Sequence, residues 1–166
     1  LRKSEAKLKR EQRKLSRKKK GSNSRKKQRT KVAKIHRKVK NQRNDFLHKE
    51  SCKLVTNYDV IVFEDLRIKN MVKNHRLAKS ISDASWSKFI EYTTYKAESA
   101  GRKVIFVNPR NTSQTCSGCG VIVKKSLSVR THKCSCCGLI LDRDINAAIN
   151  ILRAGTAPGR ATAVAG

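Results

Sequence analysis

Acidic residues are scarce in this chain of 166 residues, which has 12 Asp and Glu against 40 Lys and Arg and a formal net charge of +28. Such an imbalance in a soluble protein implies an anionic partner held by phosphate neutralisation, and nucleic acid is the first candidate. An acidic membrane surface is the rival partner. Long apolar runs are missing, however: no stretch approaches the roughly 18 consecutive apolar residues of a spanning helix, and no signal peptide opens the chain. We therefore expect a cytoplasmic protein without a membrane partner.

Methionine is almost absent as well. The single methionine is Met71, so Leu1 is not an initiator residue. We expect the sequence to begin inside a longer protein.

Most of the positive charge lies in the first 50 residues, which contain 22 Lys and Arg but 4 Asp and Glu. Apolar residues recur there at helical spacing in two series, Leu1, Leu8 and Leu15, and then Val32, Ile35, Val39 and Phe46. Gly21 and its small polar neighbours separate the series. The pattern predicts two basic helices that pack along narrow apolar stripes and face nucleic acid. A solvated, disordered arm is the alternative.

Strand and helix patterns alternate in the next segment. The short apolar runs 60–63 and 104–107 are typical of strands buried on both faces of a largely parallel sheet. Between them an apolar series has helical spacing: Trp86, Phe89, Ile90, Thr93, Ala97 and Ala100. Gly101 stands where this helix should end. A last amphipathic helix, closed near Gly155, is predicted from Ile145, Ala148, Ile149 and Leu152. The tail from Thr156 to Gly166 is predicted to be flexible.

Four of the six cysteines form two Cys-x-x-Cys pairs separated by fourteen residues: Cys116 and Cys119, then Cys134 and Cys137. Each pair can present two thiolates to one tetrahedral Zn²⁺, and a closed shell of four thiolates indicates a structural metal. A redox dithiol or two disulfides are the alternatives, which a reducing compartment disfavours. Cys136 could replace Cys137 as a ligand. Cys52 has no partner in this pattern.

Two acidic residues stand at the edges of apolar elements. Glu64 ends the first predicted strand, and Asp144 opens the last predicted helix, next to Asp142. Carboxylates in such places suit Mg²⁺, and two metal ions about 4 Å apart can hydrolyse phosphodiesters. The simpler alternative is that an Asp at a helix start caps the helix or offsets its dipole.

Four stretches carry a resemblance to a known family: 60–66 (VIVFEDL), 77–86 (LAKSISDASW), 108–116 (NPRNTSQTC) and 142–148 (DRDINAA). They resemble the OrfB/TnpB proteins of bacterial and archaeal insertion sequences, which are usually called transposases and are related to type V CRISPR effector nucleases. The resemblance implies an α/β fold: a partial RNase H-like (RuvC-like) domain with an inserted zinc ribbon and a preceding basic helical hairpin. It also implies RNA-guided DNA cleavage that depends on Mg²⁺ or Mn²⁺. The expected partners are DNA and guide RNA, with no small-molecule substrate, in a prokaryotic cell.

The resemblance assigns roles to particular residues. Glu64 matches the second catalytic acid of the family and Asp144 the third, both as magnesium ligands. The zinc ligands of the ribbon are matched by Cys116, Cys119, Cys134 and Cys137. The chain then divides into a basic hairpin (1–56), a core segment with the second catalytic motif (57–111), the ribbon (112–141), the helix of the third motif (142–155) and the tail (156–166).

The first catalytic aspartate of the family has no counterpart. It is expected on a strand upstream of the basic hairpin, and neither Asp45 nor Asp59 has that strand context. We therefore expect this chain alone to be a poor nuclease, because a metal pair that lacks one carboxylate is weakened.

Two other functions fit part of the pattern. A non-enzymatic zinc-ribbon protein that binds nucleic acid would explain the charge and the cysteines equally well. A transposase that rejoins DNA would use the same metal and carboxylate chemistry.

Overall fold

The computed structural model describes residues 1–66, 85–126 and 128–157, which form helices and strands in two compact units, Leu1–Lys53 and Leu54–Gly166. Two sequence predictions fall mostly outside these residues. They are the family stretch 77–86, of which 77–84 is not described, and the flexible tail, of which 158–166 is not described.

The first unit is a helical hairpin. Helix α1 (Arg2–Ser16) is followed by α2 (Asn23–Asn57), whose last turn belongs to the second unit. Gly21 lies in the turn at φ +85, a left-handed conformation that glycine adopts without steric cost. The guanidinium of Arg25 donates to the carbonyls of Leu15 and Lys18 at 2.8 and 2.9 Å, and so ties the start of α2 to the end of α1.

The apolar stripe of α2 follows the prediction at Val32, Ile35 and Val39, which are buried, but Phe46 is 59% exposed and Leu47 is buried instead. The prediction is wrong at Phe46 because the buried face of α2 continues through Leu47, the neighbouring residue. Glu5, in the first turn of α1, binds Arg43 at 2.7 Å.

One acid is buried in the hairpin. The side chain of Glu11 on α1 is 2% exposed, and Gln28 on α2 donates to its Oε2 at 2.8 Å. The ammonium groups of Lys14 and Lys31 each lie 3.2 Å from the carboxylate. These contacts tie the two helices together through a carboxylate that the apolar spacing did not indicate.

The second unit is built on two parallel strands, β1 (Val60–Glu64) and β2 (Lys103–Val107), paired in register from Val60 with Lys103 to Glu64 with Val107. Helix α3 (Trp86–Ser99) lies between them in sequence. A parallel pair needs a long crossover of this kind. The predicted order of strand, helix and strand is confirmed.

Helix α3 covers one face of the pair. The ring of Phe63 on β1 meets Trp86 and Phe89 edge to face, with centroids 5.8 and 6.0 Å apart. Ala97 on α3 is completely buried in the same cluster. The helix stops as predicted, since Gly101 has φ +66 just after its cap.

Helix α4 (Arg143–Thr156) covers the other face of β1. Gly155 lies so close to Val62 that an added Cβ would be 2.6 Å from Cγ1 of that valine. The strand is therefore covered on both faces, as its continuous apolar run predicts. Strand β2 is covered less completely, because Phe106 is 40% exposed.

The predicted apolar face of α4 is wrong. Ile145 and Leu152 are 54% and 52% exposed, whereas Asn146 is fully buried. The helix ends at Thr156, next to Gly155, so its predicted end is confirmed. The physical reason is that the buried face of α4 contacts a polar loop and a close strand, so amides and a glycine fit there better than branched side chains.

Strands β3 (Thr131–Lys133) and β4 (Ile140–Asp142) form a short antiparallel hairpin that leads into α4. Over the part of the chain that the structure describes, no helix is both long and apolar enough to cross a membrane.

Candidate metal centre and carboxylate site

The four paired cysteines lie in two turns with the same hydrogen bonds. In the first turn the amide of Gly120 donates to the carbonyl of Cys116, and the amide of Cys116 donates to the carbonyl of Val121, both at 2.9 Å. The second turn repeats these bonds from Gly138 to Cys134 at 3.1 Å and from Cys134 to the carbonyl five residues on at 2.9 Å. Both glycines have positive φ, +80 and +73. The repeat explains why glycine follows each Cys-x-x-Cys pair.

The two turns bring four sulfurs together. All Sγ atoms of Cys116, Cys119, Cys134 and Cys137 lie within 4.8 Å of one another. The pairs Cys116–Cys137 and Cys119–Cys134 are each 3.6 Å apart, and all six cysteines of the chain are unbridged. Tetrahedral zinc with bonds of about 2.3 Å separates its sulfurs by about 3.8 Å. The cluster can therefore bind a metal such as zinc, and it includes Cys137 rather than Cys136.

The thiols divide into two acidic and two weakly acidic groups. The amide of Cys137 lowers the pKa of Cys134 to about 6, and the amide of Cys119 lowers the pKa of Cys116 to about 7. The pKa of Cys119 is raised to about 12, because burial and the neighbouring thiols outweigh the amide of Val121. The pKa of Cys137 is raised as well. Each acidic sulfur thus lies beside one that keeps its proton, and a bound cation would displace the remaining protons.

Helix α4 holds the first cysteine turn through three polar side chains. Asn146 accepts from the amide of Ser117 at 2.9 Å and donates to the carbonyl of Thr115 at 2.8 Å. Asn150 donates to the same carbonyl at 2.7 Å, and Arg153 donates to the carbonyl of Ser117. The first cysteine turn is therefore fixed to the helix that carries Asp144.

Glu64 is half-buried at the carboxyl end of β1. The hydroxyl of Thr112 donates to its Oε1 at 2.5 Å across 48 residues of sequence. Thr112 belongs to a turn whose Asn111 has φ +61 and whose Thr115 amide donates to the Asn111 carbonyl at 2.8 Å. One carboxylate oxygen of Glu64 is thus held by the chain.

Asp144 lies in the first turn of α4 and is 71% exposed. Its carboxylate is 3.5 Å from Arg143 and 3.6 Å from Arg130. The helix cap is Asp142 instead, which accepts from the amides of Asp144 and Ile145 at 2.7 and 3.3 Å. Capping therefore accounts for Asp142 and leaves the carboxylate of Asp144 facing solvent.

Glu64 and Asp144 stand on elements that pack together, since α4 contacts β1 and β2. Among the described residues, neither acid belongs to a close group of three or more potential metal ligands. Asp45 lies in α2 and pairs with Lys49, and Asp59 precedes β1, at the opposite end of that strand from Glu64. Neither aspartate occupies the carboxyl end of a strand.

A cavity of about 740 Å³ adjoins the turn that holds Glu64. It lies beside β2 and α4, and its lining includes Phe106, Arg110, Asn111, Thr112, Asn150 and Ala154. The cavity is lined by a partly exposed aromatic ring and a cationic side chain, and it shares Thr112 with the contact to Glu64.

Comparison with known families covers the chain in two parts. Residues 1–75 match the OrfB_IS605 family, described as "Probable transposase", and residues 86–151 match the family described as "Cas12f1-like, TNB domain". A protein of Streptomyces pristinaespiralis, named as an RNA-guided DNA endonuclease, is 44% identical over 94% of this chain and 39% of its own length. The chain belongs to the OrfB/TnpB family.

Other members agree with this assignment. The Escherichia coli protein InsQ, also named as an RNA-guided DNA endonuclease, is 37% identical over 93% of this chain and 42% of its own length. TnpB-like protein MJ0751 of Methanocaldococcus jannaschii is 34% identical over 81% of this chain and 51% of its own length. The chain thus spans about two fifths to one half of these OrfB/TnpB relatives.

A solved structure shares the fold. A Cas12f1–sgRNA–target DNA complex contains a chain that matches 89% of this protein with a TM-score of 0.62 and 19% identity, over 40% of its own length. At this identity the match establishes the arrangement of helices and strands.

Sequence reasoning missed the side chains that connect the parts of this OrfB/TnpB chain. Asn146, Asn150 and Arg153 recur at intervals of four and three residues, which places them on one face of α4. That spacing is a usable signal. The apolar residues of the same helix indicated a different buried face, and most of them are exposed in the structure. Thr112 gave no local signal, because its partner Glu64 is remote in sequence.

Proposed function

We propose that this chain forms the part of an RNA-guided DNA endonuclease that carries two metal-binding carboxylates and a structural zinc ribbon. The observation that carries the proposal is the position of Glu64 at the carboxyl end of β1, beside the strand-covering helix α4 whose first turn holds Asp144. Acids at the end of a strand and at the start of a helix packed on that strand can share Mg²⁺ or Mn²⁺.

The proposed core is RuvC-like, an RNase H-type arrangement. Its parallel strands, crossover helix and covering α4 support this, together with the fold shared with the Cas12f1 chain. In the complete site an aspartate from outside these residues joins Glu64 and Asp144. Glu64 and Asp144 would help to hold a pair of metal ions, which when bound would activate a water and stabilise the leaving oxygen. The residues of this chain would hold the ions and orient the DNA strand that is cut.

The ribbon has a structural role in this proposal. Its four sulfurs fit a closed zinc site, which leaves no position open for a reacting water. A bound zinc would hold the two turns together, and the bonds from α4 to Ser117 and Thr115 connect the first turn to the helix of Asp144.

The nucleic-acid partners in the proposal are DNA and a guide RNA. The name of the Streptomyces pristinaespiralis relative includes both RNA and DNA, and the Cas12f1 complex contains an sgRNA and a target DNA. Lys and Arg of the hairpin supply phosphate contacts, which position a strand without reading its sequence. Arg110 and Phe106, at the cavity near Glu64, could meet the phosphate and base of a strand that enters the site.

The decisive test replaces the matching region of the Streptomyces pristinaespiralis relative with residues 1–166 and supplies that relative's guide RNA. Glu64→Gln and Asp144→Asn should each reduce Mg²⁺-dependent DNA cleavage at least a hundredfold and leave DNA affinity within about twofold, since catalysis needs both carboxylates. Glu98→Gln, on the exposed side of α3, is the control and should cleave normally.

The isolated chain provides the complementary measurement. With one carboxylate missing, residues 1–166 should cut DNA far more slowly than the chimera. Cleavage that survives both acid substitutions would favour a zinc-ribbon binding protein with its chemistry elsewhere. Joined product strands would indicate a transposase.

A further inference from the structure

We propose that Thr112 is a positioning residue for the nuclease site: its hydroxyl fixes the orientation of Glu64, and its backbone links that carboxylate to the helix of Asp144. This inference rests on the function proposed above and goes beyond it. It concerns a side chain that would act through a metal ligand rather than bind the metal itself.

The hydroxyl of Thr112 has a clear preferred acceptor. It lies 2.5 Å from Oε1 of Glu64 and 3.2 Å from the carbonyl of Pro109. A hydroxyl carries one proton, and the shorter contact to a charged oxygen is the stronger hydrogen bond. Thr112 therefore donates to Glu64. Within the described part of the chain, Oε2 of Glu64 has no hydrogen bond, so it remains available to a cation.

Thr112 is itself held from α4. Its backbone carbonyl accepts from Nδ2 of Asn150 at 2.9 Å, and the same amide group donates to the carbonyl of Thr115 at 2.7 Å. Asn150 thus clamps both ends of the turn. Asn150 and Asp144 lie on the same helix. The hydrogen bonds from Asn150 to Thr112 and from Thr112 to Glu64 therefore connect that helix to the carboxylate of Glu64.

The arrangement has a mechanical consequence. A glutamate has three rotatable side-chain bonds, and a half-buried one at a strand end can adopt several orientations. A hydrogen bond to one carboxylate oxygen selects an orientation in advance, so less ordering is needed when the metal ion binds. Loss of such a supporting bond typically reduces metal affinity or activity about 10- to 100-fold.

Thr112→Val removes the hydroxyl and keeps the shape and the backbone carbonyl that Asn150 binds. In the chimera, we expect a drop of about tenfold or more in kcat, a higher Mg²⁺ concentration for half-maximal rate, and an unchanged KM for DNA. Thr112→Ser restores the hydroxyl and should recover most of both losses. Neither zinc content nor melting temperature should change.

Thr156→Val is the control. Thr156 is exposed at the end of α4, and its hydroxyl donates to the carbonyl of Leu152 in the same helix at 2.8 Å. The substitution also removes a threonine hydroxyl, but it should leave the rate and the Mg²⁺ dependence as they are. An equal loss in both variants would show that the bond to Glu64 is not what matters and would overturn the inference.

The outcomes separate this inference from the proposed function. If Glu64→Gln abolishes cleavage while Thr112→Val keeps normal kcat and Mg²⁺ dependence, Thr112 has no positioning role and the nuclease assignment stands. If Glu64→Gln cleaves normally, the proposed function fails first. A Thr112→Ser variant as slow as Thr112→Val would also overturn the inference, because the hydroxyl would then not be the group that matters.

Discussion

Glu11 concentrates several interactions of the basic hairpin in one carboxylate. A hydrogen bond from Gln28, followed by contacts with Lys31 and Lys14, lowers its pKa from 4.5 to about 2. A group whose pKa is lower in the folded state stabilises that state above its unfolded pKa. This contribution is present above about pH 4.5 and is lost as the pH falls through about 2.

We predict that Glu11→Gln lowers the melting temperature of the hairpin near neutral pH and flattens its pH dependence below pH 4.5. Circular dichroism at the helical band, followed against temperature and pH, measures both. Glu50→Gln removes an exposed pair with Lys53 and serves as the control, with little expected effect. Equal melting curves for the two variants would contradict the prediction.

At the same scale, the cysteine cluster and the position of Glu64 at a strand end could be predicted because their signals are local. A fixed spacing marks the Cys-x-x-Cys pairs, and a strand end marks the acid. Thr112 and Asn150 could not be predicted in this way. The first acts on a residue 48 positions away and the second on a residue 38 positions away, so folding alone creates their roles.

Helix α4 is the element whose packing differs most from its sequence pattern. Helical periodicity finds a face by its apolar residues, yet the face that packs here contains Gly155 against Val62 and Asn146 against the cysteine turn. The pattern predicted the helix and its start correctly. It misplaced the buried face because amides that satisfy loop carbonyls cannot be distinguished in sequence from exposed ones.

We predict that Gly155→Ala destabilises the second unit by about 1–3 kcal/mol, because its Cβ would overlap the side chain of Val62. The gain of up to about 1 kcal/mol in helix propensity only partly offsets this cost. Urea unfolding monitored by the fluorescence of Trp86 measures the change. In the double variant with Val62→Ala, the penalty of Gly155→Ala should largely disappear. A stabilised single variant would show that strand and helix move apart easily.

The whole molecule has an uneven distribution of charge. The first 50 residues hold a surplus of 18 positive charges out of a net 28, and the hairpin exposes most of its Lys and Arg side chains. When Lys and Arg side chains bind DNA phosphates, condensed counterions are released. The slope of log affinity against log salt concentration is then about −0.9 for each phosphate neutralised on duplex DNA. The slope therefore measures the number of phosphate contacts. Its change when particular lysines are replaced shows which of them make such contacts.

We predict that replacing three exposed hairpin lysines, Lys27, Lys34 and Lys38, by Gln reduces this slope by about 2 to 3 for duplex DNA between roughly 50 and 200 mM salt. Fluorescence anisotropy of a labelled duplex, titrated with the 166-residue chain, gives the slope. The same change at three exposed lysines of the second unit, Lys88, Lys103 and Lys133, removes equal charge and should reduce the slope by less than one. If the hairpin contacts the phosphates, only the loss of hairpin lysines removes those contacts. Equal reductions in the two variants would therefore contradict the prediction and mean that DNA is held by net charge alone.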